Sequence, residues 1–508
     1  MTQRNACWTR LMAEIQANLC LLVILGVAPA VLIACGPIHF NPGRDVAPSA
    51  DPARVWIPPV SVASARETTS SLEELRALNL VPAQPSPAGN EYDLPTLVDV
   101  ALRSNPQTRR TWYQARAAAA QYGRSNSNDY PKVAAEAEGG YLKLPIQFPG
   151  ETLVIRNEAF LPQIKVSYDL LDFGRSRAAE RGAREQLIAA NFAFNRAIQD
   201  VVFEVEKAYY VLLAASASVG AAEANLKLAS TSVDAIQERH RVGLATRPQV
   251  LLAKQVQAQA VYDLENAKSM VHDAEANLRL VVGVAANAPI KIPGHEVDHL
   301  PQTLGDDVEM LMTDALKRRP DIGAQIAAVR AGDAAIARAR AEYYPEVEIG
   351  GNYGQIIWSY TVNGGPTQNL NQPFYGAMLT LRWDLFTGFN RYYALQNAIA
   401  ERDAARAELR SVQLSASTAV WTAYYDFRSA RKKYEASQAL VTASQESYNA
   451  NLESHRRGLA TITDLIGAER DLMGARYTLI QTKAGLLISS SALVHAVGGA
   501  PASSAPAP

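Results

Sequence analysis

The 508-residue chain carries 49 Lys and Arg against 50 Asp and Glu, and a formal charge of −1 lacks the basic excess by which a nucleic-acid binder holds phosphate. With 48% hydrophobic and 19% charged residues it is also not a largely disordered polypeptide. Its length bounds roughly two to four domains.

The first element is a targeting segment. Arg4 and Arg10 precede an apolar run from Leu19 to Ile33 that is broken only by Gly26 and Pro29. That run is shorter than the ~20 apolar residues of a membrane-spanning helix and follows basic residues as a signal peptide does. It ends in Leu32-Ile33-Ala34-Cys35-Gly36, which resembles a bacterial lipobox. The resemblance implies removal of residues 1–34 and lipidation of Cys35, and Gly36 is not the Asp of an inner-membrane retention signal. A plain signal peptide with an incidental cysteine is the other reading. The chain has three cysteines, and Cys7 and Cys20 lie in the removed segment. The mature chain then holds no disulfide, no thiolate metal site and no cysteine nucleophile. No later stretch is apolar enough for a transmembrane helix, so any crossing of a membrane must use strands.

Residues 35–92, rich in Pro, Ser and Ala, read as an extended lead-in. Beyond them the chain repeats itself at an offset of 215 positions. Tyr168-Asp169-Leu170-Leu171 aligns with Trp383-Asp384-Leu385-Phe386, His240 with His455, and Gly243-Leu244-Ala245-Thr246 with Gly458-Leu459-Ala460-Thr461. Upstream, Asn105-Pro106 pairs with Arg319-Pro320 and Tyr130-Pro131 with Tyr344-Pro345, at offset 214. The repeats occupy 93–288 and 304–500, joined by a linker at 289–303 and followed by a low-complexity tail at 501–508. Each reads as a helix, a strand pair and two very long helices.

Four segments, 133–144, 160–171, 347–358 and 375–385, alternate with period two, the first and third more weakly. Ile164, Val166, Tyr168 and Leu170 fall on one face, with Gln163, Lys165, Ser167 and Asp169 on the other. Tyr375, Ala377, Leu379 and Leu381 oppose Gly376, Thr380 and Arg382, with Met378 an exception. Each is long enough for a tilted strand to cross a bilayer. Alternation alone also fits a soluble sheet with one wet face. The export signal favours the membrane, as do the aromatic residues Tyr141, Tyr168, Trp358, Tyr375 and Trp383 near strand ends. The polar stretches 145–159 and 361–374 read as connecting loops. Four strands cannot close a membrane barrel and open edges are not tolerated in lipid, so copies must assemble; two would give eight strands and three would give twelve.

From Arg175 to His240 there is no proline, and Ile198, Val202, Val205, Tyr209 and Leu212 form a coiled-coil seam. Some 65 residues give roughly 100 Å of helix, with Gly220 a candidate irregularity. The second half repeats this from Arg391 to His455. Gly243 and Gly458 suit left-handed positions, and Thr246 and Thr461 suit the N-caps of returning helices. Gln249 and Asp464 stand at capping-box spacing, with Pro248 in the first turn.

On these residues, and on Arg318-Arg319-Pro320-Asp321-Ile322 and Trp383-Asp384-Leu385-Phe386-Thr387-Gly388, the chain resembles the TolC-like outer membrane efflux proteins, particularly the lipoprotein channels of tripartite pumps. The resemblance spans about residues 94–499. It implies a mainly α protein with β: a tandem-repeat protomer with four transmembrane strands, twelve in a homotrimer's barrel, and helical hairpins forming an α-barrel across the periplasm. It implies an outer-membrane location, tips that dock on a periplasmic adaptor, and an inner-membrane transporter that supplies the energy. It implies neither enzyme activity nor cofactor. By the same resemblance Asp464 matches an acidic constriction position, whereas Gly467 and Ala460 replace the other expected acid and its basic partner, and Gln249 stands at the matching position of the first hairpin. Helix capping is the second, compatible role of Asp464. His295 and His299 have a metal-like spacing but sit in the polar linker, and no metal site is expected. His240 and His455 suit helix C-terminal ends. Two alternatives stay open: the duct of a type I protein secretion system, and a lipid-anchored periplasmic coiled-coil adaptor or spacer.

Overall fold

The computed structural model describes residues 49, 51, 53–56, 92–284, 290 and 307–499. The signal segment, Cys35, His295, His299 and the tail lie outside the described residues, as does nearly all of the linker.

The element order is duplicated. The first half holds α1 (Leu94–Ser104), α2 (Pro106–Ser125), β1 (Lys132–Phe148), β2 (Glu151–Leu171), α3 (Arg175–Arg241) and α4 (Arg247–Val282). The second holds α5 (Val308–Arg318), α6 (Pro320–Ala341), β3 (Glu346–Val362), β4 (Gln368–Arg382), α7 (Asn390–Arg456) and α8 (Ile462–Val497). The single helix expected before each strand pair is two. Asn105 and Arg319 precede prolines, which push them to extended backbone, and a new helix starts at the proline.

α3 and α7 are spines of 67 residues each, roughly 100 Å. Gly220 does not interrupt α3. The returning α4 and α8, with 36 residues, are about half as long. They cover only the half of each spine away from the sheet, while α6 packs on both spines and α2 on α3 in the half near it. The predicted seam residues Ile198, Val202, Val205, Tyr209 and Leu212 are all buried. In α4 the buried Ala253, Ala260, Ala267 and Ala274 recur every seven residues. Such a strict repeat imposes a left-handed supercoil, and alanine lets two backbones come close.

The halves are fastened alike where each return helix ends. Asn105 Nδ2 donates to Val281 O (2.6 Å), and Arg319 Nη1 donates to Ala496 O (3.1 Å). Gly283 and Gly498, both at positive φ, close the two helices. A Cβ on Gly498 would sit 3.0 Å from Arg319 Cα, and one on Gly283 only 2.8 Å from Asn105 Cα. Glycine there meets both a left-handed turn and a close backbone approach.

The strands form one antiparallel sheet in the order β1-β2-β3-β4, so β2 and β3 join the halves. With 17, 21, 17 and 15 residues they exceed the expected segments. The stretches read as loops, 145–159 and 361–374, are mostly strand. The connections shrink to Pro149-Gly150 and to residues 363–367. Asn363 stitches the second turn to β2: Val154 N donates to its Oδ1 (2.7 Å) and its own N donates to Val154 O (2.9 Å).

Candidate functional site

Two regions carry chemistry: the hairpin tips and the two faces of the sheet.

At the tips, Gly243 and Gly458 take positive φ after α3 and α7. Leu244 N then donates back to Arg239 O (2.7 Å) and Leu459 N to Ser454 O (2.8 Å), as left-handed helix caps do. Leu244 and Leu459 are 70% and 79% exposed, two apolar side chains held out on tight turns. Thr246 and Thr461 cap the returning helices. Thr246 N donates to Gln249 Oε1 (2.7 Å). Thr461 N and its hydroxyl donate to Asp464 Oδ2 at 2.9 and 2.6 Å, and Asp464 N donates to Thr461 Oγ1 (3.2 Å). Those bonds, the hydroxyl's first and the backbone N–H's second, hold the exposed Asp464 carboxyl below its ordinary value.

Each histidine before a tip does more than meet a helix dipole. His240 Nδ1 lies 2.7 Å from Ala245 O and His455 Nδ1 lies 3.1 Å from Ala460 O. A carbonyl only accepts, so each Nδ1 carries hydrogen and clamps the turn across Gly-Leu-Ala. Arg239 Nη1 is 2.7 Å from His455 Nε2, and a guanidinium only donates. His455 therefore bridges the two hairpins, with Nδ1 toward Ala460 O and Nε2 toward Arg239.

Behind the tips the hairpins share one core that includes Val233, Ile236, Val256, Tyr448, Leu465 and Leu472. Glu469 is wholly buried beside it. Its Oε2 accepts from Ser232 Oγ across the hairpin boundary (3.0 Å), while Oε1 has no hydrogen-bond partner. Burial pushes its carboxyl up. Sequence reasoning missed Glu469 and Arg239. The signal was there for Glu469, an acid on the apolar stripe Ile462-Leu465-Ile466-Leu472, whereas Arg239 looks like any basic residue in a last turn.

The sheet divides at mid-height. Near the helices, Val133, Ile164, Val166, Tyr168, Ile349, Tyr353, Tyr375, Leu379 and Leu381 share one face, and Lys132, Glu136, Lys165, Ser167, Asp169, Glu348, Asn352, Thr380 and Arg382 the other. Lys165 Nζ is 2.6 Å from Glu136 on that polar face. Beyond the level where Phe160 pairs with Gly139 and Ile357, the faces exchange character. The formerly apolar face now carries Lys143, Arg156, Glu158, Ser359 and Asn369. The formerly polar face carries Leu142, Leu144, Ile146, Leu153, Ile155, Trp358, Tyr360, Val362 and Leu370, interrupted by Glu151, Asn157 and Gln368. Trp358 thus departs from the girdle role read for it, since it lies mid-strand on the face opposite Tyr168 and Tyr375. Trp383 follows the end of β4, where its Nε1 donates to Tyr343 O (3.2 Å).

Among the described residues no helix is long and apolar enough to cross a membrane, and no cluster of metal-ligating side chains forms.

The sequence profile described as outer membrane efflux protein matches residues 97–284 and again 311–499. Protein CyaE of Bordetella pertussis is 32% identical over 358 residues, 70% of this chain and 73% of that one. Outer membrane protein OprJ of Pseudomonas aeruginosa is 26% identical over the same shares of the two chains. The solved outer-membrane channel OprN superposes with a TM-score of 0.70 over 80% of this chain and 90% of its own, at 21% identity.

Proposed function

This chain belongs to the outer membrane efflux protein family, whose members are channels and not enzymes, and from that premise we propose that three copies close a twelve-stranded barrel in the outer membrane above a helical duct crossing the periplasm. The observation that carries the reading is the sheet. It has four strands, the edges of β1 and β4 are unpaired among the described residues, and its lower half bears an apolar face. On β1 that face spans residues 133–141. About nine residues at ~3.3 Å each, tilted by ~40°, rise ~23 Å, close to the ~25 Å apolar band of membrane barrels. Unpaired edges in lipid leave backbone groups without partners, and neighbouring copies supply them.

The lower polar face then lines a water-filled lumen. The duct is passive, and an inner-membrane transporter delivers solute through a periplasmic adaptor. The exposed Gly243-Leu244-Ala245-Thr246 and Gly458-Leu459-Ala460-Thr461 turns are the surfaces that adaptor meets. Opening separates the second hairpin from the first at Arg239 and His455, and three copies of Asp464 surround the entrance. Cys35 carries lipid. In support of an anchored lead-in, Asn195 exchanges two hydrogen bonds with the backbone of the buried Trp56, at 2.8 and 2.7 Å, and Trp112 Nε1 donates to Ser49 O (2.7 Å).

Purified mature protein is expected to run in detergent at the mass of three chains and to show low conductance in planar bilayers. Asp464→Ala is expected to raise that conductance, since it removes both a charge at the entrance and the cap of α8. A folded monomer, soluble without detergent, would sink the whole reading. Unchanged conductance in Asp464→Ala would remove Asp464 from it.

A further inference from the structure

The exchange of faces at mid-sheet has a consequence beyond passive conduction. Strands that merely extended the barrel outward into water would keep a polar lumen and turn the outer face polar. Here the outer face does turn polar, at Lys143, Arg156 and Glu158, but the face behind it turns apolar at the same height on β1, β2 and β3, joined on β4 by Leu370 alone. The residues are large. Ile146, Ile155, Tyr360 and Val362 are half-buried within the chain, and Trp358 and Tyr360 stand with ring centroids 5.9 Å apart. Such a surface facing open water is costly at ~25 cal/mol per Å². In the proposed barrel it faces the same surface of the other copies across the lumen. Twelve strands ~4.8 Å apart, tilted by ~40°, close a ring ~24 Å across at the backbone. Aromatic and branched side chains from all sides narrow that considerably.

We propose that the upper half of the sheet is an apolar constriction inside the outer mouth of the channel, built from Leu144, Ile146, Ile155, Trp358, Tyr360 and Val362. It rests on the trimeric-barrel reading. A constriction of this chemistry holds water poorly at its walls and slows strongly charged solutes without closing the pore to small ions. A solute with apolar surface replaces the lost water contacts and passes. The substrate class it fits is therefore amphipathic or apolar. The lower lumen, with Glu136, Lys165, Asp169 and Glu348, holds water and does not discriminate in this way.

Thiol accessibility from the outside tests the mouth without involving the tips. Single cysteines are introduced as Leu144→Cys and Ile155→Cys on the inner face, and as Lys143→Cys and Arg156→Cys on the outer. With Cys35 carrying lipid the mature chain has no other thiol, and the trimers are reconstituted in vesicles. A charged, membrane-impermeant thiosulfonate is expected to react with the inner pair about tenfold or more slower than with the outer pair, the factor that ~1.4 kcal/mol of exclusion gives. An uncharged apolar maleimide is expected to show little of that difference. Adding Ile155→Asp to Leu144→Cys is expected to restore fast reaction with the charged reagent. If trimers form and inner and outer sites react alike with it, the constriction is overturned and the channel reading stands. A monomer in detergent overturns both.

Discussion

Glu206 shows what a single buried acid does to this protein. It is 6% exposed on α3, with one carboxylate oxygen unpartnered and the Ser491 hydroxyl of α8 at the other. Burial, opposed in part by that hydroxyl, pushes its pKa up to about 7. The neighbouring Tyr210 is pushed up to about 12, first by burial and then by Glu206. A glutamic acid in the unfolded chain titrates near ~4.3, so folding favours the protonated form. The associated stability is fully present below pH ~4.3, declines as pH rises, and is lost once pH has passed through about 7, roughly 4 kcal/mol in all. Thermal unfolding of the purified protein is therefore expected to occur at lower temperature at pH 8 than at pH 5. Glu206→Gln is expected to flatten that slope, and an unchanged slope would mean that Glu206 is ionised in the fold. This position is not legible from spacing alone. Glu206 follows Val205 on the seam of α3, and only the docking of α8 decides that it is covered.

At the scale of the elements, the helices were largely legible and the strands half so. Helix ends are written in local chemistry: prolines at first turns, glycines after last turns, Thr-x-x-Gln and Thr-x-x-Asp at the returns. Long seams show a period that survives over many turns. The alanine column of α4 carries the most demanding packing, because it admits no extra volume. Ala260→Leu is expected to cost about 1–3 kcal/mol by overpacking against α3. It should lower the melting temperature and speed proteolysis near Gly243, and a variant as resistant as the parent would show that α3 and α4 are not in close contact there. The strands failed for a definite reason. A period-two pattern identifies a strand only while one face keeps one character. At mid-sheet the faces exchange, so residues 145–159 lose the phase set by residues 160–171 and read as loop. The polar character of Glu158 and Arg156 reinforced that reading, although the pairing of β1 with β2 continues to Phe148 and Glu151. At the tips the exposed leucines and both caps were legible, whereas the Arg239–His455 contact was not, since it joins residues 216 positions apart.

For the molecule as a whole, the repeat does not yield two independent bodies. β2 pairs with β3 along most of its length, Gln199 donates to Gly498 O (2.9 Å), His495 meets Asp200 (2.8 Å), and Ile322 and Gly323 of α6 lie among the buried residues, with Gly323 facing the ring of Phe192. Residues 93–288 expressed alone leave β2 with a bare edge and the inner side of α3 uncovered. That fragment is expected to lack a cooperative thermal transition by circular dichroism. A fragment melting as sharply as the full chain would contradict the interlocking of the halves.

The even strand count has its own consequence. β1 leaves the helices and β4 returns to them, so the two bare edges run in opposite directions. The last strand of one copy can bond to the first strand of the next with the same antiparallel geometry used inside each chain, and no strand has to turn round. Inserting a further hairpin would preserve this compatibility, whereas adding or losing a single strand would abolish it. Edge bonding by itself is equally content with rings of different sizes. In the proposed ring the number of copies is left to the wedge angle between neighbouring helical bundles, and substitutions that widen a helix there are expected to change that number without touching a single strand.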